Sequence, residues 1–100
     1  MAKVEKWIII NDEMRIGFID TAAELTDFVD GIKGGGHFQI HKKLNKLYLF
    51  GASKSFGKCS IEDVRDIKTN GYYSPSLSGL TWIFSESDTF LDSVINGIQV

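Results

Sequence analysis

The sequence predicts an α+β domain, a four- to five-stranded, mainly antiparallel sheet with two to three helices in the order ββαββαβα. Three observations carry the expectation. Short runs rich in Ile, Phe, Tyr and Trp stand between clusters of turn residues. Apolar residues recur at helical spacing between those runs. Ser or Thr precedes each helical segment, where a side-chain oxygen can accept from the orphan amides of a first turn.

Trp7 to Ile10 and Met14 to Ile19 read as two strands joined by the polar turn Asn11, Asp12 and Glu13, with Met14, Ile16 and Phe18 on one face of the second. Thr21 and Glu24 form a Thr-x-x-Glu capping box. A helix is expected from Ala22 to Ile32, its stripe being Leu25, Phe28, Val29 and Ile32. Gly34, Gly35 and Gly36 would then end that helix and turn the chain, since glycine takes a left-handed C-cap without steric cost.

Phe38 to Lys42 and Lys46 to Phe50 form a hairpin around Lys43, Leu44 and Asn45. Two registers compete. A two-residue turn at Leu44 and Asn45 sets His41 opposite Tyr48 and Gln39 opposite Phe50. A three-residue loop with Asn45 left-handed sets Ile40 opposite Tyr48 and Phe38 opposite Phe50, and is favoured because it gathers apolar residues on one face. The unbroken run Leu47, Tyr48, Leu49, Phe50 indicates a strand covered on both sides. Ser60 with Asp63 caps a helix from Ile61 to about Ile67 that turns Ile61, Val64 and Ile67 inward. Lys68 to Gly79 carries turn chemistry, Leu80 to Phe84 is a further strand, and Ser85, Ser87 or Asp88 caps a last helix over Thr89 to Gly97. That helix is expected to bury Phe90, Leu91, Val94 and Ile95, and the helices are expected on one side of the sheet.

One hundred residues with 43% hydrophobic and 24% charged content suit a single globular domain over residues 1–100, well away from the compositions that stay disordered. Cys59 is the lone cysteine, so an intramolecular disulfide is excluded and a reducing, cytoplasmic location is expected. The apolar run Trp7 to Ile10 is too short for a secretory signal or a membrane span. No membrane partner is therefore expected. The net charge of -2 hides an asymmetry: Lys33 to Lys58 holds six lysines and no acid, for +6, while the rest sets five basic residues against thirteen acidic ones, for -8.

Candidate chemistry is sparse. Gly51 to Ser60 follows a strand and precedes a helix, the place of a phosphate-binding loop, but Ala52 and Cys59 stand where G-x-x-x-x-G-K-[ST] needs glycine and a hydroxyl. What remains is a weaker anion cradle of Lys54, Lys58 and a helix start. His37 and His41 lie four apart on a strand, which separates them by roughly 13 Å. That is too far for one zinc ion, whose ligands each lie about 2 Å away. Cys59 beside Lys58 could be an activated thiol. A single cysteine in an ordinary domain is more often a small buried hydrophobe, and nothing in the sequence fixes a partner base for it.

No catalytic constellation, cofactor or metal is expected. Function therefore reads first as a non-enzymatic binding module, of inhibitor, antitoxin, immunity or phage-modulator type, that docks on a protein partner through Tyr72, Tyr73 and Lys68 on the 68–79 loop. The alternative is nucleic-acid or nucleotide binding through the acid-free segment 33–58. Lys42, Lys43, Lys46, Lys54 and Lys58 would meet phosphates there, interleaved with Phe38, Tyr48, Phe50 and Phe56. A small enzyme using Cys59 with His37 or His41 stands third.

Overall fold

The computed structural model describes residues 6–17, 31–53 and 56–100. Six strands form one mixed sheet in the order β2-β1-β3-β4-β5-β6. They are β1 (Lys6–Ile10), β2 (Glu13–Gly17), β3 (Ile32–His41), β4 (Lys46–Phe50), β5 (Thr81–Phe84) and β6 (Ile98–Gln99), with helices α1 (Ile61–Asn70) and α2 (Phe90–Asn96) and a 3-10 turn at Pro75–Leu77. The expected helix over 22–32 lies outside the described residues except at its end, and so do Phe18 and Ile19. At that end the expectation fails, because Ile32 pairs with Ile10 as the first residue of β3.

The α+β class holds, with more strands than expected and a parallel pair among them. The first hairpin forms about its polar turn, Ile9 facing Met14 and Trp7 facing Ile16, with Asn11 left-handed at φ 53°. The glycine triplet does not turn the chain. Gly34 faces Ile9, Gly35 faces Ile8 and Gly36 faces Trp7, in the middle of β3. Side chains are excluded there by backbone: a Cβ on Gly35 would strike the Trp7 carbonyl oxygen, and one on Gly36 the Phe50 carbonyl oxygen. On its other side Gly35 donates to the Gly57 carbonyl at 3.0 Å and accepts from the Ser53 amide at 3.1 Å. Glycine serves close approach in this strand, a use that composition does not separate from turning.

The β3–β4 hairpin takes neither expected register. Gln39 faces Tyr48 and Phe38 faces Leu49, around a four-residue loop, Lys42 to Asn45. Asn45 is left-handed at φ 56°, as expected, and its side chain donates to the Gly79 carbonyl at 2.8 Å. The register follows from burial of β4 on both faces, because Leu47 and Leu49 go to one side and Tyr48 and Phe50 to the other. Gathering all apolar residues on one face was the wrong criterion.

From β4 the chain crosses through α1 to β5, which pairs with β4 in parallel, Leu47 beside Trp82 and Leu49 beside Phe84. Parallel pairing follows from the connection, since a strand–helix–strand crossover returns in the same direction. The main core lies on the α1 face. Trp7, Ile9, Met14, Phe38, Leu47, Leu49, Trp82 and Phe84 pack there with Val64 and Ile67 of α1 and with Leu77. Both indoles are satisfied, Trp7 Nε1 by the His37 carbonyl at 2.9 Å and Trp82 Nε1 by that of Leu77 at 3.0 Å. Ser60 and Asp63 form the expected capping box at the start of α1, which runs three residues past its expected end to Asn70.

The second helix departs most. It packs on β4 and β5 from the opposite face, so the helices flank the sheet rather than share a side. Its cap is Thr89, whose hydroxyl accepts from the Asp92 amide, in place of Ser85, Ser87 or Asp88. Phe90 and Ser93 face the sheet, while Leu91 and Ile95 are each 66% exposed and Val94 48%. Only Phe90 of the four residues expected inside turns inward.

Replacing Gly35 by alanine is expected to lower unfolding stability by about 3 kcal/mol, the upper part of the range for overpacking. Urea denaturation of the variant checks this, and Gly79→Ala, where a Cβ meets nothing within 4 Å, is the control expected to change little.

Candidate functional site

On the α2 face β3 presents His37 and His41, four residues apart, and β4 presents Tyr48 and Phe50, two residues apart, each pair with one parity along its strand. Phe90 descends into this group. Its ring stacks on His41 at 5.1 Å and 8°, meets Tyr48 edge-on at 5.2 Å, and lies 5.9 Å from Phe50. His37 in turn lies 5.9 Å from Phe50. Ser93 lets the helix come close, its hydroxyl being satisfied by the Phe90 carbonyl at 2.6 Å. This aromatic cluster holds α2 by one ring and leaves Leu91, Val94 and Ile95 on the outside of the helix. The sequence signal was present in the buried Ser93: a small residue at the contact face admits close approach, whereas hydropathy alone assigns that face to the larger neighbours.

The lysines of segment 33–58 do not form one patch. Lys42, Lys43 and Lys46 gather at the β3–β4 tip, around Leu44, which is 59% exposed. Lys33 opens β3 at its other end, and Lys58 lies there too, its carbonyl against Gly34. Nine residues of strand, about 30 Å, separate the two groups. Lys54 lies outside the described residues. The aromatics proposed to interleave with the lysines serve the interior instead, Phe38, Tyr48 and Phe50 all being buried.

The expected partner-binding group divides. Tyr73 meets the Trp82 ring edge-on at 4.8 Å, and Lys68 donates to the Val100 carbonyl at 3.1 Å with its ammonium 5.9 Å from the same ring. Tyr72 turns outward, 67% exposed, its backbone fixed by bonds with Asp12 and Met14 at 2.8 Å each.

Around Gly51 to Ser60, the first turn of α1 uses Ser60 Oγ to accept from the Asp63 amide, and Glu62 and Asp63 place negative charge where an anion would bind. Cys59 is buried in the α1-face core. Burial pushes its thiol up from 9.0 to about 12, Asp63 adding to the effect and Lys33 opposing it. The direction is opposite to that of an activated nucleophile. The two histidines put their rings on the other face of the sheet. Among the described residues, no three His, Cys, Asp or Glu side chains converge as a metal site, and no helix is long and apolar enough to cross a membrane.

No family model, curated protein or solved structure matches the chain.

Two outcomes test this arrangement. Tyr73→Ala is expected to lower the melting temperature by several degrees through lost packing on Trp82, while Tyr72→Ala leaves it nearly unchanged. For Cys59, a folded pKa above the unfolded one means stability that is complete below pH 9.0 and declines as pH rises toward about 12. Denaturation midpoints across that window should fall for the native chain and fall less for Cys59→Ala.

Proposed function

We propose that this protein is a binding module that acts by docking on another protein rather than by chemistry of its own. The observation that carries the reading is the outer face of α2, where Leu91, Val94 and Ile95 stand exposed at i, i+3 and i+4. Single exposed apolar residues are ordinary, but three on one turn of a short helix make a contiguous patch of the kind that marks an interaction surface. Tyr72 is a separate exposed aromatic on the β2 side and is the remaining member of the loop surface expected from sequence. The buried Cys59, its thiol pushed up by burial, does not favour a thiol nucleophile.

Nucleic-acid binding is the second reading, carried by the three lysines of the β3–β4 tip. It asks for a contact small enough to be made by one hairpin end.

The immobilised chain and its L91S/I95S variant should be compared in native lysate, with and without nuclease. The expected result is a protein captured by the native chain, retained after nuclease, and lost with the variant, whose melting temperature stays within a few degrees of the native value. Capture of nucleic acid alone would favour the second reading. A collapse in stability would show that these side chains are covered in the folded chain and remove the docking face.

A further inference from the structure

From Thr69 to Val100 the chain has no Lys, Arg or His, and its acids are Glu86, Asp88 and Asp92, all exposed. These acids sit at one end of β4. Gly51 donates to the Ser87 carbonyl at 2.7 Å, and Ser87 Oγ donates to Asp92 at 2.7 Å, which ties the group to the point where β4 ends. The lysine tip, Lys42, Lys43 and Lys46 around exposed Leu44, sits where β4 begins. Five residues of strand set the two ends about 17 Å apart. That exceeds the screening length of about 8–10 Å at physiological salt, so neither pole neutralises the other within one chain. Between them α2 lies across β4 and β5 and presents Leu91, Val94 and Ile95.

An apolar patch with a positive pole at one end and a negative pole at the other is complementary to itself when turned through a half rotation. A two-fold axis through the patch apposes the two α2 faces and lays each lysine tip over the other chain's acidic end, so every contact is made twice. Resting on the assignment of α2 as a docking face, we propose that the partner it takes is a second copy of this chain, in an antiparallel dimer. The Lys42–Lys46 tip of each protomer meets Glu86, Asp88 and Asp92 of the other, and Leu44 closes the end of the apolar contact. The apolar trio is small, so the charged ends supply much of the register and the dimer weakens with salt.

Sedimentation velocity on the purified full chain tests this, from micromolar to near-millimolar concentration, in low salt and in about 1 M NaCl, where screening shortens to about 3 Å. The expected result is a monomer–dimer equilibrium in low salt that shifts to monomer in high salt. K42E/K43E and E86K/D88K should each weaken self-association by about tenfold or more, four exposed charge pairs being affected. Each variant opposes like charges in its own dimer, but mixing the two restores both ends, so the mixture should dimerise about as well as the native chain. L91S/I95S should be monomeric in either salt. Circular dichroism melts of all variants, which alter only exposed side chains, check that they fold.

A native chain that stays monomeric throughout, or a dimer unchanged by K42E/K43E or L91S/I95S, overturns the proposal. If the native chain is monomeric while the lysate experiment still captures a protein lost with L91S/I95S, self-pairing fails and the docking face stands. If neither self-association nor capture depends on these residues, both fail.

Discussion

Gly34, Gly35 and Gly36 let β3 pass between β1 and the turn closed by Ser53 and Gly57, with carbonyl oxygens of Trp7, Phe50 and Lys58 occupying the places where side chains would stand. Everything else in the sheet is registered against that passage. It sets Trp7 beside Gly36, and so puts the indole on the α1 face with Phe38 and Leu49. It also anchors the Gly51-to-Lys58 segment by backbone hydrogen bonds, so a stretch whose composition resembles a phosphate loop serves as a brace on β3. Backbone-to-backbone packing leaves no slack, because a carbonyl cannot rotate away as a side chain can.

With β3 fixed, β4 becomes the strand that divides the interior. Its four consecutive apolar side chains are buried on both faces of the sheet. Leu47 and Leu49 join a core under α1 that contains both tryptophans, while Tyr48 and Phe50 meet Phe90 and the two histidines on the other face. The consequence for α2 is mechanical: a seven-residue helix lying on an aromatic layer needs one large ring and one small residue at the contact, and Phe90 and Ser93 supply them.

Local rules were legible in proportion to how local their cause is. The Ser60–Asp63 capping box, the left-handed Asn45, the first hairpin with its polar turn and the double burial of Leu47 to Phe50 all depend on a few neighbouring residues, and each appears as expected. The parallel β4–β5 pair was also readable, because a helix between two strands makes a crossover, but an expectation of hairpins obscured it. The hairpin register was less accessible. It is decided by which face the sheet covers with α1 and which with α2, a tertiary fact that overrides turn preference. The two-residue β6 is too short to leave any pattern. The site suffered most. Lysines of one acid-free segment, Lys33 and Lys42, stand at opposite ends of a ten-residue strand, and a helix face was assigned by hydropathy when the contact was decided by the size of Ser93.

That last error is informative about function. An isolated helix of seven residues is unstable in water, so α2 exists through its Thr89 cap and its seat on the sheet. Thr89 caps it and Phe90 and Ser93 make the contact with the sheet. Glu, Lys or Gln on the outer side would serve helix formation as well as Leu and better than Val or Ile, and would favour solubility besides. The chain instead carries Leu91, Val94 and Ile95, two of them β-branched and therefore poorer helix formers than the polar alternatives. On the docking reading proposed above, burial of these side chains against a second surface would add favourable energy beyond what their present exposure allows. The separation of charge into a lysine tip and an acidic end, with the patch between them, then restricts which surfaces fit and in which orientation.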